Sequence, residues 1–251
     1  MFESRILLLP TFKVRSVTNR MSYSISPLGD SALTVDFGNI ISAELNKKVL
    51  LLVQAIEKAA LAAVKDIVPA YSSVTIHYDV ISLLKQHKNK SAFTIMSEEI
   101  EALLSQPVEA ITAVYRSVQI PVCYSLKYAW DLKEIAVVTK LTIEEIITLH
   151  TAKRYKVYMI GFLPGFAYMG NVDERIAVPR KLEPRQKIGA GYVGMAGKQT
   201  GIYPLTSPGG WQIIGRTPIK LFDKEKEDPV FFRAGDEVRF YSITEDEFYN
   251  Y

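Results

Sequence analysis

A single cysteine, Cys123, excludes an internal disulfide framework and any cysteine-built zinc site. Histidine is nearly as scarce. His77, His87 and His150 are too few for a dedicated metal centre, and no metal site is evident, although a histidine–carboxylate pair stays open. Apolar runs of roughly 18 residues are missing, so no membrane-spanning helix and no membrane partner are expected. There is no basic stripe either. Residues 1–20 hold Arg5, Lys13, Arg15 and Arg20 against Glu3, which is the whole of the net charge of +3. Taking those four from 30 basic residues, and that one from 27 acidic residues, leaves 26 of each in 21–251. A neutral body argues against nucleic acid as partner, because phosphate binding requires clustered Lys and Arg.

What is present is ordinary for a globular chain. Of 251 residues, 48% are hydrophobic and 23% charged, enough to build one large core or two small ones. The lead over 1–21 stands apart. Ile6-Leu7-Leu8-Leu9 is too short for a secretory signal and Pro10 breaks it. Two readings stay open for this Arg-rich stretch: an organelle transit segment, or an extension preceding a true start at Met21. The expected location is the cytoplasm.

Glycine divides the chain. Gly29 and Gly38 alone precede residue 160, whereas eleven glycines fall between Gly161 and Gly215, with six prolines from Pro164 to Pro218. A shift this abrupt predicts two domains, over 22–110 and 111–251, with the boundary in 105–115. In the first, a turn at Pro27-Leu28-Gly29-Asp30 leads into a strand over 32–37. Ser42 can cap a helix from Ala43 to about Val64, with Leu45, Val49, Leu52 and Ile56 on one stripe. Alternation predicts a strand over 72–78, and a helix is expected to start at Ser97 and stop near Ser105. This is a small α/β sandwich, with helices over one sheet face.

The second domain opens with a strand over 117–124 and two short helices, 131–138 and 142–150. Thr142 is the N-cap of the latter, and Glu144 and Glu145 fill its first turn. From Tyr155 onward, short apolar runs alternate with Gly and Pro turns, the grammar of a closed β barrel.

Several motifs in this region are decoys. Gly189-Ala190-Gly191-Tyr192-Val193-Gly194 fits G-x-G-x-x-G, but two further glycines follow where a helix must begin. Gly197-Lys198 ends like a phosphate loop, yet Gln199 stands where Ser or Thr must ligate magnesium. Ser207 lacks the flanking glycine of a nucleophile elbow.

What remains is a dense set of arginines and aromatics on Gly/Pro turns. Pro164, Gly165, Phe166 and Tyr168 come first, then Arg180 and Arg185 beside proline turns. Gln199, Thr200, Tyr203, Ser207, Gly209, Trp211 and Arg216 complete it. Guanidinium and aromatic groups together suit an anionic or planar ligand, through paired hydrogen bonds and stacking. The alternative is that the glycines serve barrel turns and the aromatics fill its core. His150 at a helix C-terminus reads either as a dipole-capping cation or as a general acid–base group. His77 alternates onto a solvated strand face, and His87 sits in a solvated Lys-rich loop over 85–90.

The runs over 158–170 and 194–204, with Pro179-Arg180, Pro184-Arg185, Ser207-Pro208-Gly209-Gly210-Trp211 and Gly215-Arg216-Thr217, resemble the B subunit of bacterial ATP-dependent 5-oxoprolinase. The same family includes the KipI-type kinase inhibitors and proteins labelled allophanate hydrolase subunit 1. Pro27-Leu28-Gly29-Asp30 and Val68-Pro69-Ala70-Tyr71 also fit, so the resemblance spans about 22–245. It departs at Ser125–Trp130, where relatives carry a Gly- and acid-rich turn.

The resemblance implies an α+β chain whose C-terminal domain is a cyclophilin-like β barrel. It also implies subunits C and A as partners, with ATP and magnesium acting at the level of the complex. The implied reaction opens 5-oxo-L-proline (pyroglutamate), a small-molecule substrate, to L-glutamate with ATP hydrolysis. Arg180, Arg185 and Arg216, with His150, are then the expected catalytic groups, the arginines stabilising developing phosphate or carboxylate charge. Two further readings are a KipI-like inhibitor of a sensor histidine kinase and the carboxyltransferase half of a urea or amide carboxylase. The latter would need a separate biotin carrier, since no attachment segment is seen.

Overall fold

The computed structural model describes residues 22–86, 89–106 and 116–251. The lead over 1–21, His87 and most of the expected boundary segment lie outside them.

Strands β1 (Ser24–Pro27), β2 (Ala32–Asp36), β3 (Val64–Pro69) and β4 (Ser73–Tyr78) form an antiparallel sheet in the order β1-β2-β4-β3. Helices α1 (Ala43–Ala59), α2 (Val80–Gln86) and α3 (Ala92–Ser105) accompany it. Leu33, Val35, Val74 and Ile76 point from the sheet into one core with Val49, Leu52 and Ile56 of α1 and Ile95, Met96 and Ile100 of α3. Alternation in the strands and the three-to-four spacing in the helices aim these side chains at one another.

Three boundaries differ from expectation. Helix α1 starts where Ser42 accepts from the Glu44 amide at 3.2 Å, but stops five residues early. Ala60 turns into the left-handed region (φ 46°) and returns its N–H to the Ile56 and Glu57 carbonyls, which frees Val64 to begin β3. Helix α3 begins at Ala92, because Ser91 caps it by accepting from the Thr94 amide at 3.1 Å. Lys85 belongs to α2 rather than to a loop.

The second half contains a closed barrel. Its strands are β5 (Ser117–Cys123), β6 (Arg154–Ile160), β7 (Ala167–Gly170), β9 (Tyr192–Ala196), β10 (Gln199–Ile202), β12 (Gln212–Arg216) and β13 (Glu237–Ile243). They run β10-β7-β6-β13-β5-β12-β9, and the β9–β10 hairpin closes the ring. The long parallel pairing of β13 with β5 joins residues 117–123 to 237–243. Helices α4 (Leu132–Thr139) and α5 (Ile143–Ala152) lie against it. Thr142 and Glu145 form a reciprocal capping box at the start of α5. A separate ribbon pairs β8 (Arg185–Ile188) with β11 (Ser207–Gly209). Helix α6 (Glu245–Tyr249) ends the chain.

Gly191 shows why glycine is dense here. Its φ is +84°, and a Cβ would lie 2.5 Å from the Thr217 carbonyl oxygen, so no side chain fits this turn before β9.

Candidate functional site

Loop 161–166 precedes β7 and folds back on itself. The Gly161 amide donates to the Phe166 carbonyl at 3.1 Å, and the Phe166 amide to the Leu163 carbonyl at 3.0 Å. Phe162 sits at φ 69°, exposed, with its ring edge-on to Phe166 at 5.6 Å. Pro164 is the exposed tip and Gly165 is buried at φ +82°.

Four of the expected residues meet in one small core. Phe166 lies 4.8 Å from Tyr168, 5.5 Å from Tyr203 and 5.4 Å from Trp211, in each case edge to face. Gly209 lets this core close, because a Cβ there would stand 2.3 Å from the Tyr203 hydroxyl oxygen. That hydroxyl accepts from the Trp211 amide. Ser207 stays local: it is buried, and its hydroxyl donates to the Pro208 carbonyl at 3.1 Å.

Arg180 lies over this core, its guanidinium carbon 5.9 Å from the Trp211 ring. It is exposed, and among the described residues it has no carboxylate partner. Its charge bears on the hydroxyls of Tyr71, Tyr168 and Tyr203. Burial raises the pKa of all three phenols, and the Arg180 charge only partly offsets it. A free cation among protonated phenols and an indole face can hold a small anion with a flat body.

The other two arginines do not join Arg180. Arg185 donates to Asp131 at 2.6 Å and lies 5.4 Å from the Trp130 ring. Asp131, 2% exposed, also accepts from Lys181 at 3.0 Å and from the Ile213 amide at 2.6 Å. Burial raises its pKa, but these hydrogen bonds outweigh it and hold the carboxyl below its ordinary value. Arg216 lies within 5.2–5.8 Å of the Tyr192, Phe248 and Tyr128 rings and donates to the Ala190 carbonyl at 3.1 Å. Its charge is engaged with the C-terminal helix.

His150 is neither a capping cation nor within reach of solvent. It is fully buried, stacked on Phe240 at 4.6 Å, and burial pulls its pKa down to about 3. Hydrogen bonding fixes the neutral tautomer. The Thr200 hydroxyl donates to the Gly194 carbonyl at 3.1 Å, so it accepts from Nε2–H at 3.1 Å. Nδ1 is then free to accept from the Tyr124 hydroxyl at 2.7 Å. Thr200 thus belongs to the barrel interior rather than to the Arg180 cluster.

Gln199 points the other way, to the first half of the chain, where its Nε2 donates to the Tyr71 hydroxyl at 2.6 Å. Tyr71, Tyr158 and Asp131 were not among the residues singled out from sequence. Val68-Pro69-Ala70-Tyr71 carries part of the family resemblance, but nothing in its spacing points to β10. Asp131 read as a helix start, and it makes no capping hydrogen bond there. Ile40 and Ile41 face Asn171, Ala196, Lys198 and Gln199 across a cleft of about 400 Å³.

A family model for the carboxyltransferase domain, subdomains C and D, matches residues 23–232. The 5-oxoprolinase B subunit of Bacillus subtilis is 41% identical over 91% of this chain and 96% of its own length. The crystal structure of TTHA0988 overlays with a TM-score of 0.72 at 34% identity, covering 84% of this chain, which spans 40% of that longer one. The Kluyveromyces lactis urea carboxylase overlays with a TM-score of 0.73 at 18% identity, over 95% of this chain and 23% of its own, a likeness of fold. With its barrel, its sandwich and these relatives, the chain belongs to the 5-oxoprolinase B-subunit family of carboxyltransferase-domain proteins.

Proposed function

We propose that this chain is the B component of a cytoplasmic, ATP-dependent 5-oxoprolinase that opens 5-oxo-L-proline to L-glutamate together with subunits A and C. In this reading Arg180 receives the substrate carboxylate and the ring lies against Tyr168 and Trp211. The observation that carries it is Arg180, without a carboxylate partner among the described residues and set over an aromatic core, in a chain so similar to a named 5-oxoprolinase component.

Opening a five-membered lactam needs an activated amide, and ATP with magnesium supplies that activation in the complex. The Gly189–Gly194 run does not form a dinucleotide loop. Gly189–Gly194 runs through a turn into β9 instead of opening a helix, so no helix N-terminus faces a phosphate there. No ATP step is therefore assigned to these residues. Their part is to bind the acid, orient its ring and exclude water from one face. A self-sufficient nucleophile and base are missing from the Arg180 cluster among the described residues, which is why partner subunits are required.

The test is co-expression with candidate A and C subunits, assaying 5-oxoproline-dependent ATP hydrolysis and glutamate release. Turnover that disappears when this chain is omitted supports the reading. A stable complex without turnover on 5-oxoproline rejects it in favour of another amide. The fold shared with urea carboxylase keeps a carboxyltransferase half as the second reading. Avidin-sensitive turnover dependent on a biotin carrier is its signature.

A further inference from the structure

We propose that Tyr71, projecting from the N-terminal sheet, is a specificity-determining residue of the Arg180 site. Its hydroxyl donates to the same carboxylate that Arg180 neutralises, and Gln199 sets its direction. This rests on the reading of that cluster as the substrate site.

Tyr71 lies in the turn between β3 and β4, closed by the Ala70 amide donating to the Ser73 carbonyl at 2.8 Å. Asn46, fully buried on α1, clamps the turn onto the barrel. Its Nδ2 donates to the Tyr158 carbonyl at 3.1 Å and also reaches the Ala70 carbonyl at 3.4 Å. The Tyr71 ring then packs 5.3 Å from Tyr158 and 6.2 Å from Tyr168. A loop of one half is thus held inside the aromatic wall of the other.

The hydroxyl is half-used. Its oxygen accepts from Gln199 Nε2 at 2.6 Å, and its own proton has no acceptor among the described residues. Burial raises its pKa far above the working range, so it stays a neutral donor throughout that range. Arg180 is close enough for its charge to act on this hydroxyl. Tyr71 lies 6.2 Å from Tyr168, which lies 6.0 Å from Trp211, the ring under Arg180, so one aromatic wall carries both groups. A cation and an oriented neutral donor on that wall match the two oxygens of a carboxylate. A lactam lacking the carboxylate engages neither. Tyr71 thereby selects the amino-acid-derived lactam over the bare ring.

The experiment is calorimetric titration of the full chain, alone and in its co-expressed complex, with 5-oxo-L-proline, L-proline, benzoate and 2-pyrrolidinone. Wild type is expected to prefer 5-oxoproline to 2-pyrrolidinone. Tyr71→Phe should weaken the acid about ten-fold or more, as for loss of a hydrogen bond to a charged group, leave 2-pyrrolidinone affinity unchanged, and lower the thermal midpoint by only a few degrees for the lost Gln199 bond. In turnover, the same variant should raise KM with little change in kcat. Gln199→Met keeps the hydroxyl but removes its orienting partner, and should weaken the acid by a smaller factor. This second variant keeps the test decisive if the first is poorly folded. If Arg180→Ala abolishes 5-oxoproline binding while Tyr71→Phe leaves it intact, the inference is overturned and the 5-oxoprolinase reading stands. If L-proline or benzoate binds through both residues and 5-oxoproline does not, the inference stands and that reading falls. If no carboxylate binds wild type, both are overturned.

Discussion

The Arg185 guanidinium donates to Asp131 at 2.6 Å while the second Asp131 oxygen accepts from the Ile213 amide, also at 2.6 Å. One buried carboxylate therefore ties the turn before α4 to the strap at 181–185 and to β12. Removing it leaves Arg185 without its anion and Lys181 with Glu134 alone, at 2.8 Å. Asp131→Ala is expected to cost about 3 kcal/mol, the low end for breaking a buried pair because both cations are partly exposed. The folded carboxyl sits below 3.8, so its contribution is complete above that pH and is lost as pH falls through the lower folded value. Urea unfolding of wild type and Asp131→Ala at pH 7 and pH 3 measures both; equal stabilities at pH 7 would refute the tie.

Arg180 carries no such structural duty. Arg180→Ala is expected to lower kcat/KM for 5-oxoproline about 100-fold in the assembled complex, the effect of deleting a charged contact to substrate. Its thermal midpoint should stay within about 2 °C of wild type, a shift below 1 kcal/mol at this size. Unchanged turnover would remove Arg180 from the site.

His150 makes stability depend on pH in the acid direction. Its folded pKa is about 3 against 6.5 for the free side chain. Below 6.5 the unfolded chain takes up a proton that the folded chain refuses until pH 3. Stability should therefore fall on acidification through this window, by up to about 1.4 kcal/mol per pH unit. His150→Gln removes the titrating group and should flatten the slope between pH 6.5 and 4. A variant with the wild-type slope would assign the effect elsewhere.

Arg216 holds the chain end rather than a ligand. Its guanidinium packs on Tyr128, Tyr192 and Phe248, the last from α6. Arg216→Ala should speed amide hydrogen exchange over 245–249 and leave 5-oxoproline affinity unchanged. Protection retained in α6, or affinity lost, would contradict this division of labour.

Gly209→Ala tests the packing of the site. The added methyl would meet the Tyr203 hydroxyl oxygen at 2.3 Å and Ile188 Cδ1 at 2.8 Å, both in buried side chains. The expected cost is about 2 kcal/mol, with ligand binding weakened as Tyr203 and Trp211 shift. A variant as stable as wild type would mean that the core yields.

Much of this was legible in the residues. Alternation over 72–78 and the Thr142 cap are local signals, and the strand and helix they predict are present. The early end of α1 was not legible, since Ala60 adopts a left-handed conformation that nothing in its type demands. The Ser91 cap was missed because a stronger-looking start, Ser97-Glu98-Glu99, follows it inside the same helix.

The site divides in the same way. Composition and order alone determined that arginines and aromatics would crowd onto Gly/Pro turns, and that the chain would form a barrel beside a sandwich. Which arginine stays free was decided only in three dimensions. Asp131 takes Arg185, and Phe248 of α6, with Tyr128 and Tyr192, takes Arg216; neither pairing is set by proximity along the chain, since Asp131 and Phe248 lie 54 and 32 residues away. Tyr71 reaches Gln199 across 128 positions for the same reason. A charge's environment depends on what the fold packs around it, and that packing couples distant segments, whereas periodicity and capping act within a few turns of chain.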